Sequence, residues 1–208
     1  MSFDRKIPGP RDFLGYVYGL RWYILAIMAV FAVFSWMGYM VTVLSPSTTD
    51  QIISGFKEEV GPLKDASALG LMLGIFENNA IKCFIVVVLG LAFGIAPLLF
   101  IMANGLVIGI VVGATLAKAG LFFVLVGIVP HGLIELPMVF VSAAIGLKLG
   151  VDALRALARR NVGLKREVRE ALLIFIFWVA PLLFVAAFLE TFVTGALLYM
   201  LFSGQPIT

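Results

Sequence analysis

The residues of this chain that could do chemistry are few, and they stand out because apolar sequence surrounds them. Glu77, Asn78, Asn79 and Lys82 head one apolar run and Asn104 closes it; His131 and Glu135 interrupt a later run, and Glu190 the last. Ionisable side chains within a membrane span are costly and, where they occur, face a protein interior or a cavity. His131 and Glu135 are four residues apart, so a helix sets them on one face. One imidazole and two carboxylates, His131, Glu135 and Glu190, form a donor set for a borderline divalent metal such as zinc, with a position left open for water. The set lacks the second histidine and the separate general base of a zincin helix, so an intramembrane metal-dependent hydrolase is one reading among three. A proton or cation path through Glu135 and Glu190 is another. In the third, the default for polar residues in membrane helices, these groups hydrogen-bond one another and pin a broken helix in place.

The elements that position these groups follow from composition. Of 208 residues, 62% are hydrophobic and only 13% charged, about half the roughly 25% of a soluble domain. The mean hydropathy is +1.11. One soluble core could not hide that much apolar surface, whereas a bilayer solvates it. The sequence therefore predicts an all-α membrane protein of about five transmembrane helices. The first span, 22–44, is longer than a secretory h-region and lacks a convincing cleavage site, so it reads as retained. Residues 51–65 carry Ile52, Ile53, Phe56, Val60 and Leu63 at helical spacing and predict an amphipathic helix on the membrane surface.

From Cys83 to Ala117 no residue is charged, a length that must fold back at about 1.5 Å of rise per residue. The turn-favouring pair Asn104-Gly105 is the expected reversal, giving spans 80–103 and 105–117 with a re-entrant segment over 119–129. Pro130, suited to a first helical turn, opens a span over 130–150. A basic loop, 151–170, leads to the last span, 171–190. Gly132 and Pro137 interrupt the fourth span. Gly90 and Gly94 form a GxxxG pair, as do Gly105 and Gly109, with Gly113 extending the latter; such spacing permits close helix approach, within the monomer or in a homo-oligomer. The lone Cys83 excludes an intrachain disulfide.

Basic residues in short loops orient membrane proteins. The N-terminal segment has four and residues 148–170 have seven, while the longer 45–78 segment has two against five acids. Both basic segments are therefore expected on the cytoplasmic side of the cytoplasmic membrane, with the C-terminus outside. Depth counting then puts Asn79, His131, Glu135 and Glu190 towards the extracytoplasmic half. The expected partners are the lipid bilayer and other membrane or envelope proteins. No basic stripe with interleaved aromatics points to nucleic acid, and no P-loop, dinucleotide fingerprint or CxxC pair is present.

In order along the chain come Phe76-Glu77-Asn78-Asn79, Gly90 and Gly94, Asn104-Gly105 with Gly109, the block from Pro130-His131-Gly132 to Glu135-Leu136-Pro137, and Glu190-Thr191-Phe192-Val193-Thr194. This set resembles the stage II sporulation protein M family, over roughly 22–194, with the Pro-His-Gly block its most specific part and nearer to an archaeal-type branch. The resemblance implies a membrane protein of about five spans without established enzymatic activity. The founding member is a scaffold that gathers a cell-wall-cleaving pair of partners at the septum. Gly195 to Phe202 departs from the pattern as an added apolar half-helix. A non-enzymatic scaffold or assembly factor is thus the leading expectation, a small-solute or ion transporter or channel component the second, and the metal hydrolase the third.

Overall fold

A computed structural model describes residues 7–47, 49–51, 67–159 and 163–202. Among these the chain is helical, without strands, and its long apolar helices make it an all-α membrane protein. A short helix, α1 (Pro10–Gly19), begins with proline in its first turn, and the Asp12 carboxylate accepts from the Gly9 N–H at 2.9 Å. Next, α2 (Arg21–Leu44) is 24 residues long, about 36 Å of helix for a hydrocarbon core of about 30 Å. Then α3 (Ala68–Leu89) follows, capped by the Ser67 hydroxyl, which accepts from the Gly70 N–H at 3.1 Å. The chain continues through α4 (Ile95–Leu157) and α5 (Leu164–Phe202). Large side chains such as Leu99, Leu133 and Met200 point outward, where lipid rather than water receives them.

At 63 residues α4 would be about 95 Å long if straight. It is not straight. Gly120, at φ 80° and ψ 171°, breaks it into limbs 95–119 and 121–157, and the limbs run back along each other: a Cβ added to Gly146 would lie 2.7 Å from Pro97 Cγ. Near the middle of the hairpin, Phe31 of α2 lies against Phe140 with ring centroids 5.0 Å apart, while its carbonyl oxygen faces Gly105. The first limb runs parallel to α2, and the second parallel to α3. At its start α5 pairs with the end of the second limb through Lys148 and Glu167, 2.5 Å apart. At its finish Phe202 reaches Phe122 and Phe123. The five long segments thus alternate in direction.

Two glycine seams join the parallel pairs. In the first, Gly105, Gly109 and Gly113 take the backbone at Phe31 and Ser35 and the side chain of Thr42. In the second, Gly90 and Gly94 of the α3–α4 turn meet Gly146 and Gly150 backbone to backbone. A Cβ on any of these would strike main chain or a side chain of the neighbouring helix, so helix approach depends on its absence.

The chain reversal falls at 90–94, where Phe93 and Gly94 adopt φ of 62° and 75°, and not at Asn104-Gly105. Asn104 sits inside the first limb because its amide donates to the Phe100 carbonyl at 2.8 Å, satisfying itself within the helix. Gly105 is a packing position. The expected spans 80–103 and 105–117 therefore become α3 and a first limb beginning at Ile95. Residues 121–129 are helical and belong to the second limb rather than to a re-entrant segment, so Pro130 and Pro137 lie inside a helix. The last span reaches Phe202, well past 190. Helix also replaces most of the expected loop 151–170, of which residues 160–162 lie outside the described residues. The predicted amphipathic helix 51–65 lies outside them beyond Gln51.

The basic end is knitted together by charge. Lys148 binds Asp152 at 2.7 Å as well as Glu167, and Arg155 binds Asp152 at 3.2 Å. Beneath this network α1 docks on α5: Phe13 stacks on Trp178 with centroids 5.0 Å apart, and the Trp178 indole N–H donates to the Pro8 carbonyl at 2.8 Å. Burial pushes the Tyr16 phenol far up from its ordinary value, and the nearby Glu167, Glu170 and Asp152 add to the shift. A phenol raised in the folded state stabilises fully below its unfolded value of about 10, and that contribution is lost as pH rises through the folded value. Tyr16→Phe should therefore flatten part of the fall in thermal stability on moving from about pH 9 to about pH 11. Measured in detergent at neutral pH, Gly90→Val and Gly109→Val should each lower the apparent Tm by at least the equivalent of an overpacked core, about 1–3 kcal/mol. Gly19→Ala, with open space around the position, should leave it unchanged.

Candidate functional site: a polar chamber between three helices

The parallel register of α3 and the second limb brings Asn79 to Glu135, whose Oε1 accepts from the Asn79 amide at 3.0 Å. One turn earlier on the second limb, His131 Nδ1 lies 3.4 Å from Thr194 Oγ1 of α5. Glu190, one turn before Thr194, completes the group. One ligand-capable atom from each of His131, Glu135 and Glu190 lies within 4.8 Å of the others. These side chains line a chamber of about 750 Å³, whose wall also includes Asn78, Lys82 and Thr191.

The helix carrying Glu190 is not regular. Residues Phe175–Val179 and Leu189–Thr194 of α5 form π turns. The first ends two residues before Pro181, which has no N–H to give the ladder. The second carries Glu190 itself. Each π turn accommodates an extra residue and so re-aims the side chains that follow; such turns occur frequently at functional sites.

The structure separates the polar residues that the sequence singles out. Asn79, His131, Glu135 and Glu190 meet. Asn78 stands on the rim, exposed, its amide 3.4 Å from Asn79 Oδ1. Glu77 is exposed and does not line the chamber. Asn104, Gly105, Gly90 and Gly94 serve the seams and the reversal elsewhere. Gly132 is buried next to His131, and Pro130 and Pro137 flank the pair along the same limb. Sequence reasoning from charge did not select Thr191, which lines the chamber, or Thr194, whose hydroxyl pairs with His131. A signal existed for Thr194: it lies four residues after Glu190, on the same helical face.

The electrostatics are demanding. Two carboxylates less than 5 Å apart repel by roughly 3 kcal/mol or more even at an effective dielectric of about 20. Among the described residues neither Glu135 nor Glu190 is ion-paired to lysine or arginine. A proton or a bound cation must offset that charge. On the inner side of the chamber the packing is dry: Cys83, Val86, Val87, Ala143, Leu183 and Ala187 are all buried. Removing the donor to a largely enclosed carboxylate costs about 1–3 kcal/mol. Asn79→Ala should therefore lower the apparent Tm by that equivalent, and Asn79→Asp by more because it adds a third carboxylate. Glu77→Gln should have no effect, and thermal unfolding of the three variants in one detergent makes the comparison.

The uncharacterized protein MJ0706 of Methanocaldococcus jannaschii is 29% identical over 161 residues, covering 74% of this chain and 71% of that protein. No solved structure matches. Residues 25–195, which hold every member of the polar cluster, match the family described as Stage II sporulation protein M, and the chain belongs to that family.

Proposed function

We propose that the protein is a non-enzymatic assembly factor of the cytoplasmic membrane, which holds partner membrane or envelope proteins rather than turning over a substrate. The observation that carries this reading is the dry packing between the chamber and the basic end of the bundle. Buried apolar side chains fill that stretch and, beyond them, the main chains of α3 and the second limb meet at their glycines. Opening a path for solute there would require main chains in direct contact to separate, and the Lys148–Asp152–Glu167 network clamps the same end. Family membership supports the reading further.

The orientation belongs to the same proposal. Arg11 and Arg21 share one end of the bundle with Lys148, Arg155, Arg166 and Arg169, joined through Phe13 and Trp178. By the positive-inside rule that end faces the cytoplasm, so the chamber opens towards the outer face, where α5 reaches Phe202. Docking partners would then meet the chamber from the extracytoplasmic side.

A transport or channel component is the second reading. What favours it is the broken course of α5 at Glu190, since interrupted helices often carry the binding sites of transporters. Two measurements separate the two. Mild cross-linking and purification from native membranes should recover a partner in fixed stoichiometry. Proteoliposomes should pass no more protons, monovalent cations or small solutes than empty ones. Flux above the empty control that disappears in Glu135→Gln and Glu190→Gln would overturn the assembly reading in favour of transport.

A further inference from the structure

Glu190 makes no hydrogen bond to the rest of the chain among the described residues, although it lines the chamber beside a second carboxylate and an imidazole. A polar group left this way in a low-dielectric site points to a missing occupant. We propose that His131, Glu135 and Glu190 bind one divalent transition-metal ion of zinc's class in the chamber. This goes beyond the assembly reading and does not depend on it, because an assembly factor and a transporter could each hold a structural metal.

Geometry supports the assignment. Around a tetrahedral ion with ligands at about 2.1 Å, donor atoms stand roughly 3.4 Å apart. The three donors already lie within 4.8 Å of one another, so each pair has at most about 1.4 Å to close. Side-chain rotation of two glutamates covers that distance without moving a helix. His131 and Glu135 approach from one face of the second limb, and Glu190 approaches from α5, so the ion would tie two helices together.

The surrounding contacts orient the ligands. The Asn79 amide holds Glu135 by Oε1 and leaves Oε2 to ligate. Thr194 pairs with His131 Nδ1 and leaves Nε2 as the nitrogen for the metal. Partners of this kind fix ligand orientation, and their loss usually weakens metal affinity about 10–100-fold. A divalent cation also cancels the charge of two ionised carboxylates that no lysine or arginine pairs among the described residues. The donor set decides the class of ion. A nitrogen with two carboxylates favours zinc, manganese, iron or cobalt over calcium and magnesium, which prefer oxygen alone. Three protein ligands leave a position for water.

The test uses the full chain in detergent, treated with chelator, dialysed, and then loaded with zinc. One zinc per chain should remain after desalting, measured by elemental analysis. Cobalt in its place should give a visible absorption band of low-symmetry nitrogen–oxygen coordination. Zinc should raise the apparent Tm of the wild type and have no such effect on Glu190→Gln or His131→Gln. Asn79→Ala should weaken zinc binding about 10–100-fold without abolishing it, which keeps the proposal testable if a ligand variant folds poorly. Glu77→Gln, away from the chamber, should bind as the wild type does. Zinc retained equally by Glu190→Gln and His131→Gln would show adventitious binding and overturn the proposal. Calcium or magnesium competing on equal terms with zinc would overturn the assigned class. Either result leaves the assembly reading standing, because recovery of a partner decides that.

Discussion

The contact on which the rest depends is made without side chains. Asn79 and Glu135 are 56 residues apart, and the same separation joins Gly90 to Gly146 and Gly94 to Gly150 at the other end of the seam. Two parallel helices held at one offset over about 16 Å can slide only if main chains in contact part. Hydrophobic burial cannot set such a register in a bilayer, because lipid solvates leucine as well as a neighbouring helix does. Close glycine approach can. The seam at the basic end thus fixes which residues of α3 and α4 face each other three turns away, where the polar groups sit.

On the remaining side α5 closes the chamber, and its irregularity is what makes the closure work. A strict α-helix through Leu164–Phe202 would keep one face on the second limb for its whole length. Two π turns let it pack Ala171, Ile174 and Leu183 into the dry part of the bundle and still turn Glu190 and Thr194 towards His131. Pro181 accounts for the first of these turns. The second has no proline; its Glu190 and Thr194 gain polar neighbours that a lipid-facing aim would deny them.

Much of this was legible in the sequence because the bilayer makes a harsh and simple solvent. Long uncharged runs had to be spans, and isolated polar groups had to find partners; Asn79, His131, Glu135 and Glu190 stand together in the structure. What local pattern could not supply was the use of each glycine. Asn104-Gly105 has the chemistry of a turn in water, but inside a helix the asparagine amide bonds Phe100 and the glycine admits the backbone of α2. Gly90 and Gly94 carry the packing signature and also make the reversal, since one glycine can take a positive φ and lie against main chain at once. Pro130 illustrates the same limit: a residue suited to open a helix is also tolerated within one where neighbouring helices cover the gap. Glu77 has the charge and the motif position of a site residue, but the phase of α3 turns it away from the chamber.

This division between seam, chamber and lipid-facing surface bears on how a family can keep such a fold at low identity. A lipid-facing leucine, valine or phenylalanine is exchangeable because hydrocarbon receives each on nearly equal terms. A seam glycine is not exchangeable, since every other residue brings a Cβ into contact with main chain. A chamber carboxylate is constrained differently, by charge: it can change only together with the amide, imidazole or cation that offsets it. Identity of 29% with MJ0706 over 161 residues is therefore compatible with one architecture, because many positions in a five-span bundle of this kind face lipid. The few that are not lie within residues 25–195, the part of the chain that the family match covers.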